Sequence, residues 1–303
     1  MHVLITGSSG LIGRALTEFL VTGGHRVTRL VRSEPQLDRD ELHWDPKRGV
    51  LDVRAIEGLD AVVHLAGENI AEGRWTSERK RRIRSSRGES TRLLAGALAE
   101  LARPPKVFVS ASAIGYYGNR PNEILREDSR SGSGFLPSVC REWEAAVEPA
   151  EQKGIRSVRL RFGMVLSADG GALASMIGPF RMGVGGTIGR GDQYVSWVAL
   201  DDAVGAIHHA LQTEELAGAV NVVSPQSVTN RQFTKTLGRV LGRPTVAHMP
   251  AFAARLAFGQ MADELLLSSA RVEPARLLAT GYVFGYPELE EALRHLLGRT
   301  DGS

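Results

Sequence analysis

Gly7-Ser-Ser-Gly10-Leu-Ile-Gly13 follows the apolar run Val3-Leu-Ile5 and opens a set of apolar residues at helical spacing: Leu11, Ile12, Ala15, Leu16, Phe19 and Leu20. The run before it reads as a buried strand, and the set after it as a helix that stops at Gly23-Gly24. A glycine triplet alone is a weak signal, but between a strand and a helix it has a mechanism. Gly7 permits the tight turn, Gly10 lets a pyrophosphate approach the backbone, and Gly13 lets helix and strand pack closely. The helix start then offers free N–H groups and the positive end of its dipole to an anion. Ser8, Ser9, Leu11 and Ile12 stand as main-chain or hydroxyl donors. The stretch predicts dinucleotide binding; a glycine-rich turn without ligand is the alternative.

Further along, strands and helices alternate. His25–Val31, Asp60–Ala66, Lys106–Ser110 and Arg156–Leu160 read as strands, and 87–101 and 135–152 as helices. Such alternation implies an α/β fold with a Rossmann-type doubly wound parallel sheet. After Gly163 the texture changes. Residues 167–195 are glycine-rich around an apolar segment, Ala172–Met182. Asp201 or Asp202 is expected to cap a helix running to Gln212, and Thr229 or Asn230 one running to Leu241. Ala219–Val223 reads as a late strand of the main sheet. We expect a main domain over 1–225 and a smaller, mostly helical C-terminal lobe over 226–303, to which 167–199 contribute. Met249, Phe252, Leu256, Phe258 and Met261 are expected to form that lobe's core.

The second strand selects the cofactor. A site for NAD places an acid about 20 residues past the glycine loop, to accept from the ribose 2′-hydroxyl. Here the strand ends Leu30-Val31-Arg32-Ser33, with no acid at its tip. Arg32 suits a 2′-phosphate and can stack on adenine. The reading is NADP(H), with a plain surface arginine as the alternative.

Taken together, Gly7–Gly13, His64-Leu-Ala-Gly67, Ser110-Ala-Ser112, Tyr117-Gly118, Arg161-Phe-Gly-Met-Val165 and Val198-Ala-Leu-Asp-Asp202 resemble the extended short-chain dehydrogenase/reductases, the NAD-dependent epimerase/dehydratase group. Ala66-Gly-Glu-Asn-Ile70, Arg74-Trp75, Trp143-Glu144, Pro179-Phe180, Gly185-Gly186 with Ile188-Gly189, Leu278–Tyr282 and Tyr286-Pro287 are similar to one atypical subgroup of unknown substrate, with a small C-terminal domain of unknown function. The resemblance covers nearly the whole chain. It implies that Leu65, Ala66 and Gly67 line the adenosine and pyrophosphate side. It implies that Arg87 and Arg82 reach the cofactor, and that Val165 approaches the nicotinamide by main chain.

Ordinary members of that superfamily carry a tyrosine and, four residues later on a helix, a lysine that lowers the phenol pKa for acid–base work. The five tyrosines here are Tyr116, Tyr117, Tyr194, Tyr282 and Tyr286; four residues on stand Arg120, Pro121, Val198, Tyr286 and Glu290. None is lysine. Aligned on the helix glutamate, the pair's positions hold Leu136 and Cys140. Ser112 remains a candidate to orient a substrate carbonyl. Tyr117 or Tyr116 could offer a phenol, activated by an arginine; structural packing is the alternative for both. Cys140 reads as an inert core residue, and His64 as structural.

The remaining signals mainly exclude. The chain has 303 residues, a net charge of +3 and one cysteine, so no internal disulfide forms. Neither a cleavable leader nor an apolar run of about 18 residues stands out, and a cytoplasmic protein without membrane contact is expected. Arg79-Lys-Arg-Arg82, Arg84 and Arg87 read as a solvated helix face or as phosphate contacts. No aromatics interleave, so no nucleic-acid partner is expected. No metal site is indicated: His208 and His209 are adjacent on a helix and face apart. Arg190, Gln193 and Trp197 are candidates to meet a polar or anionic small-molecule substrate, with ordinary loop structure as the alternative. The substrate and the oligomeric state are not legible.

Overall fold

A computed structural model describes residues 1–36 and 39–299; the last residues of the expected lobe, 300–303, lie outside them. In chain order the elements are β1(His2–Thr6), α1(Leu11–Thr22), β2(Arg26–Val31), β3(Glu41–Asp45), β4(Val50–Leu51), β5(Ala61–His64), α2(Ser77–Glu100), β6(Val107–Ala113), β7(Arg120–Leu125), α3(Phe135–Ala145), α4(Glu148–Gln152), β8(Arg156–Phe162), β9(Met164–Leu166) and α5(Gly171–Arg181). There follow β10(Gly186–Ile188), β11(Tyr194–Val195), β12(Trp197–Ala199), α6(Leu200–Gln212), β13(Gly218–Val222), β14(Val228–Thr229), α7(Asn230–Leu241), β15(Ala247–Met249), α8(Ala251–Phe258), β16(Ala270–Val272), α9(Ala275–Ala279) and α10(Leu289–Leu296).

The main sheet runs β13-β8-β6-β5-β1-β2-β3-β4, parallel except for the terminal β3–β4 pair. Strand order reverses at β1, which has β2 on one side and β5 on the other. Ligands of such sheets bind beyond the carboxyl ends of the strands at that crevice. Central strands are apolar on both faces because helices cover both. One core joins the sheet to α1 and α6, through Leu16, Leu20, Val204 and Ile207. The opposite core holds Leu94 and Leu98 of α2 against Leu4, Val62 and Phe108. A third cluster joins Leu173, Phe180 and Trp197 to Phe233, Leu237 and Leu293, so the 167–199 segment packs with the C-terminal helices.

Several boundaries differ from the sequence reading. Helix α2 begins at Ser77, ten residues before Arg87, with the Thr76 hydroxyl accepting from Arg79 N at 3.1 Å. The expected 135–152 helix is two helices; Pro149 has no N–H to continue the ladder through the break. Neither Asp201 nor Asp202 caps α6, whose side-chain cap is absent; Asp202 instead accepts from Gly285 N at 2.7 Å and Tyr286 N at 2.9 Å. Thr229 caps α7 in a full capping box with Gln232. The expected lobe core is corrected too. Met261 is buried, but Phe252 and Leu256 are 71% and 75% exposed and Met249 is exposed as well. On the eight-residue α8 the buried residue is Ala254.

Candidate functional site

The glycine loop is shaped by close approach. Gly7 adopts φ +69°, and a Cβ on it would lie 2.8 Å from Ala66 N and from the Leu65 carbonyl carbon. A Cβ on Gly13 would meet Gly7 O at 2.2 Å, so α1 is seated against the loop as only glycine permits. Gly10 N donates to Gly7 O at 3.0 Å and Arg14 N to Gly10 O at 2.9 Å, closing the turn into the helix. Gly10 is the N-cap of α1 and supplies no side-chain cap. The first N–H groups, at Leu11, Ile12 and Gly13, therefore lack the usual side-chain acceptor, and Ser9 beside them is exposed. This cradle fits a pyrophosphate by the chemistry of its donors.

Around the cradle, Arg32 is exposed just past β2, with no hydrogen bond or ion pair among the described residues. On the other side, Thr6 Oγ1 bonds His64 Nδ1 at 2.7 Å and accepts from Ala66 N at 3.2 Å, fixing the Leu65-Ala66-Gly67 turn. His64 is fully buried, and burial pushes its pKa down to about 3, so it is a neutral structural histidine. Arg87 lies against Gly67, its Cζ 3.5 Å from where a Cβ would stand. It donates to Glu68 O at 2.9 Å and Ile83 O at 3.1 Å, and stacks on Trp143 with Cζ 5.1 Å from the ring centre. Burial lowers its pKa, and nearby Glu68 counters that. Arg82 pairs with Glu68 at 3.0 Å and Glu78 at 3.1 Å. Arg79 also binds Glu68, at 2.8 Å, so this part of the arginine run is an ion-pair lattice over the 67–76 loop. Val165, on β9, packs half-buried against the first core. Leu11 Cδ1 lies 3.3 Å from the Cβ position of Gly170, beyond the same strand.

Beyond the carboxyl end of β6 the expected catalytic groups are engaged elsewhere. The Ser112 hydroxyl is buried and donates to Glu144 Oε1 at 2.7 Å. Glu144 takes Arg161 in a bidentate pair, Nε to Oε1 at 2.7 Å and Nη2 to Oε2 at 2.8 Å. Arg161 also donates to Tyr117 Oη at 2.9 Å. The Tyr117 phenol itself donates, bridging Asn221 Oδ1 at 2.7 Å and Arg126 O at 2.9 Å. Its burial raises the pKa to about 12, against the pull of Arg161. The Tyr117 ring is wholly buried, and its hydroxyl is bonded within the fold to Arg161, Asn221 and Arg126. The Ser112 hydroxyl, the candidate to orient a substrate carbonyl, has its one proton directed at Glu144.

Leu136 and Cys140 both face Gly115, at 3.4 Å (Leu136 Cβ) and 3.7 Å (Cys140 Sγ) from its Cβ position, and fill the space beside the turn. Burial pushes the Cys140 thiol up to about 12, in line with an inert core cysteine. Of the substrate candidates, Trp197 is core and Gln193 donates to Ile188 O and Leu266 O, both at 3.0 Å. Arg190 is paired with Asp192 on the rim of a cavity of about 590 Å³ that Arg231 and His248 also line.

Residues 3–223 match the family model described as the NAD dependent epimerase/dehydratase family. The chain belongs to that family. Residues 249–296 match a domain of unknown function (DUF1731). An epimerase family protein of Mycobacterium leprae, ML0860, is 42% identical over 297 residues, covering 98% of this chain and 96% of its own. The human epimerase family protein SDR39U1 is 38% identical over 301 residues, 98% of this chain and all of its own. The crystal structure of human SDR39U1 (isoform 2) with NADPH superposes with a TM-score of 0.92 at 36% identity, covering 99% of this chain and 100% of that one. Within the family, this chain is an atypical member with the additional C-terminal domain.

Sequence reasoning missed Glu144, Arg161 and Glu68 as organisers of the site. Trp143-Glu144 and Arg161 were noticed only as fragments of resemblance, since their pairing spans 17 residues and no local period encodes it. Glu264 was also missed. Its carboxylate accepts from Leu136 N at 2.8 Å and Phe135 N at 3.3 Å, capping α3 from the C-terminal domain. The acceptor is remote in sequence, so no local capping signature exists.

Proposed function

We propose that this epimerase-family chain binds NADP(H) and acts as an oxidoreductase or epimerase-like enzyme on a small molecule, without a Tyr-x-x-x-Lys pair. The observation that carries this is Arg32: an exposed arginine with no partner among the described residues, just past the strand beside the open glycine cradle. Gly7, Ser9, Gly10, Leu11, Ile12 and Gly13 hold the pyrophosphate and Arg32 the 2′-phosphate. Leu65, Ala66 and Gly67 line the adenosine side, Arg82 and Arg87 reach the dinucleotide, and Val165 meets the nicotinamide end by main chain. When bound, the nicotinamide supplies hydride chemistry. The NADPH held by human SDR39U1 supports the same cofactor here. The division into 1–225 and 226–303, and a cytoplasmic location, belong to this reading; among the described residues no helix is long and apolar enough to cross a membrane.

Calorimetric titration with NADPH and NADH tests it. A hydrogen-bonded charge pair contributes about 1.5–3 kcal/mol, or roughly 10–150-fold in affinity. Arg32→Ala should lose that factor for NADPH and none for NADH; equal affinities in the unmodified protein would overturn the assignment. A second reading, a non-catalytic NADPH-binding regulatory or partner-binding protein, is favoured by the closed Ser112–Glu144–Arg161–Tyr117 network. Turnover of any metabolite dependent on NADPH removes it.

A further inference from the structure

Tyr116 differs from its neighbour in every respect that matters for proton transfer. It is half-buried, and its phenol oxygen has no hydrogen-bond partner among the described residues. The Arg161 guanidinium lies over its ring, with Cζ 3.6 Å from the centre. That cation cannot swing away, because Glu144, the Tyr117 oxygen and the Glu127 carbonyl hold three of its nitrogens. The backbone beneath Tyr116 is equally fixed. Gly132 N donates to Tyr116 O at 2.9 Å, and Gly118 turns with φ +64° to donate to Gly115 O at 3.2 Å. The turn carrying Tyr116 follows β6, two strands from β1 and on the side away from β2, about 10 Å across the carboxyl edge at the ordinary strand spacing. With Arg32 marking the adenosine end beside β2, a dinucleotide crossing β1 runs its nicotinamide toward this turn.

We infer that Tyr116 is the proton-transferring phenol of the cleft, standing on the turn after β6 with Arg161 stacked on it where other members use a helix lysine. This rests on the NADP(H) reading above. In the reductive direction the Tyr116 O–H bond breaks and a new O–H bond forms on the substrate's carbonyl oxygen. The carbonyl carbon gains its hydride from NADPH, which becomes NADP+. Water restores the phenol proton, and the adjacent cation offsets the phenolate charge in between. The Tyr117 hydroxyl accepts from Arg161 and ties it to Asn221 and Arg126.

Acetylation of the intact protein by N-acetylimidazole, mapped by peptide mass, reads the geometry without a known substrate. Tyr116 should be modified, and saturating NADP+ should slow its modification at least tenfold. Tyr117 and Tyr282, whose hydroxyls are bonded within the fold, should resist with or without NADP+. An unchanged Tyr116 rate in the presence of bound NADP+ overturns the proposal while leaving the cofactor reading intact; calorimetry on the same sample reports that binding, and its absence overturns both. The variants give a second arm. Tyr116→Phe should keep the melting temperature and the NADPH affinity, whereas Tyr117→Phe should melt earlier. A Tyr116→Phe protein that melts as early as Tyr117→Phe would make the hydroxyl structural and end the proposal.

Discussion

Glu144→Gln is the substitution that most directly tests how this site is held. The carboxylate and the Arg161 guanidinium are nearly dry, with side chains 11% and 3% exposed, and they share two bonds of 2.7 and 2.8 Å. Burial alone pulls the guanidinium toward losing its charge; Glu144 and Tyr117 reverse that and leave its pKa raised. Glutamine keeps the shape but removes the negative charge and turns an N–H toward a donor. Breaking a buried pair by removing one partner costs about 3–5 kcal/mol. At roughly 2–4 °C per kcal/mol for a domain somewhat smaller than this, the melting temperature should fall by about 6–20 °C. The control lies two residues earlier on the same helix. Glu142 pairs with Arg84 at 3.3 Å with both side chains about half exposed, 48% and 49%, and exposed pairs contribute about 0–1 kcal/mol. Glu142→Gln should therefore barely shift the melt. Scanning calorimetry of the two variants suffices. Equal shifts would refute the claim that the Glu144–Arg161 pair organises the site. An Arg161→Met, Glu144→Leu double variant should recover much of the loss, since the uncompensated charge is gone.

Three further outcomes follow from single distances or shifts. Gly13→Ala puts a methyl 2.2 Å from Gly7 O, so it should cost about 1–3 kcal/mol by overpacking and weaken NADPH binding measured by calorimetry; unchanged affinity would mean the cradle is looser than its spacing. The Cys140 thiol, pushed up to about 12 by burial, should resist a disulfide reagent at pH 8 in the native protein and react fully in denaturant; prompt native labelling would contradict its burial. His64, held at about 3, stays neutral while the unfolded chain takes up a proton below about pH 6.5. Stability is therefore present above that pH and lost as the pH falls toward 3. The loss from pH 7 to pH 5 is about 2 kcal/mol at 1.4 kcal/mol per unit. His64→Gln should flatten that dependence in urea titrations, and an unaltered slope would assign it to other groups.

Much of the sheet was legible because strands such as β1 and β5 are short apolar runs, and buried parallel strands must read that way. The capping box at Thr229 and Gln232 was half legible from its threonine for the same local reason. The start of α2 was not. Between Ser77 and Ser86 the only apolar residue is Ile83, so no hydrophobic period exists there. That turn is held instead by the Thr76 cap and by Glu68 reaching Arg79 and Arg82 from the preceding loop. The α8 apolar residues failed in the opposite sense: helical spacing gives a face but not what covers it, and here Phe252 and Leu256 face outward. In the candidate site, the shape of the glycine loop and the place of Arg32 just past β2 could be read because backbone form and strand position set them. The difference between Tyr116 and Tyr117 could not, since it depends on Arg161 of β8, Glu144 of α3 and Asn221 of β13, which only the tertiary fold brings together.

The polar network also ties the C-terminal segment to the sheet's carboxyl edge. Glu127 accepts from Asn221 N at 3.1 Å on β13 and from Arg276 N at 3.2 Å at the start of α9. Asn221 returns a bond to Glu273 O at 2.9 Å while accepting from Tyr117. Glu264 caps α3, which carries Glu144, and Asp202 holds Gly285 and Tyr286. The carboxylates accept from fixed backbone donors and the Asn221 amide donates to a fixed backbone carbonyl, so the bonds specify geometry as well as adding stability. Substitutions along the chain Ser112–Glu144–Arg161–Tyr117–Asn221–Glu127 should therefore be non-additive. The same connectivity limits where chemistry can begin. The Ser112 and Tyr117 protons are directed at partners inside the network. A phenol that touches the network through its cation, with no partner on its own hydroxyl among the described residues, is the position from which a proton can reach the cleft, and Tyr116 occupies it.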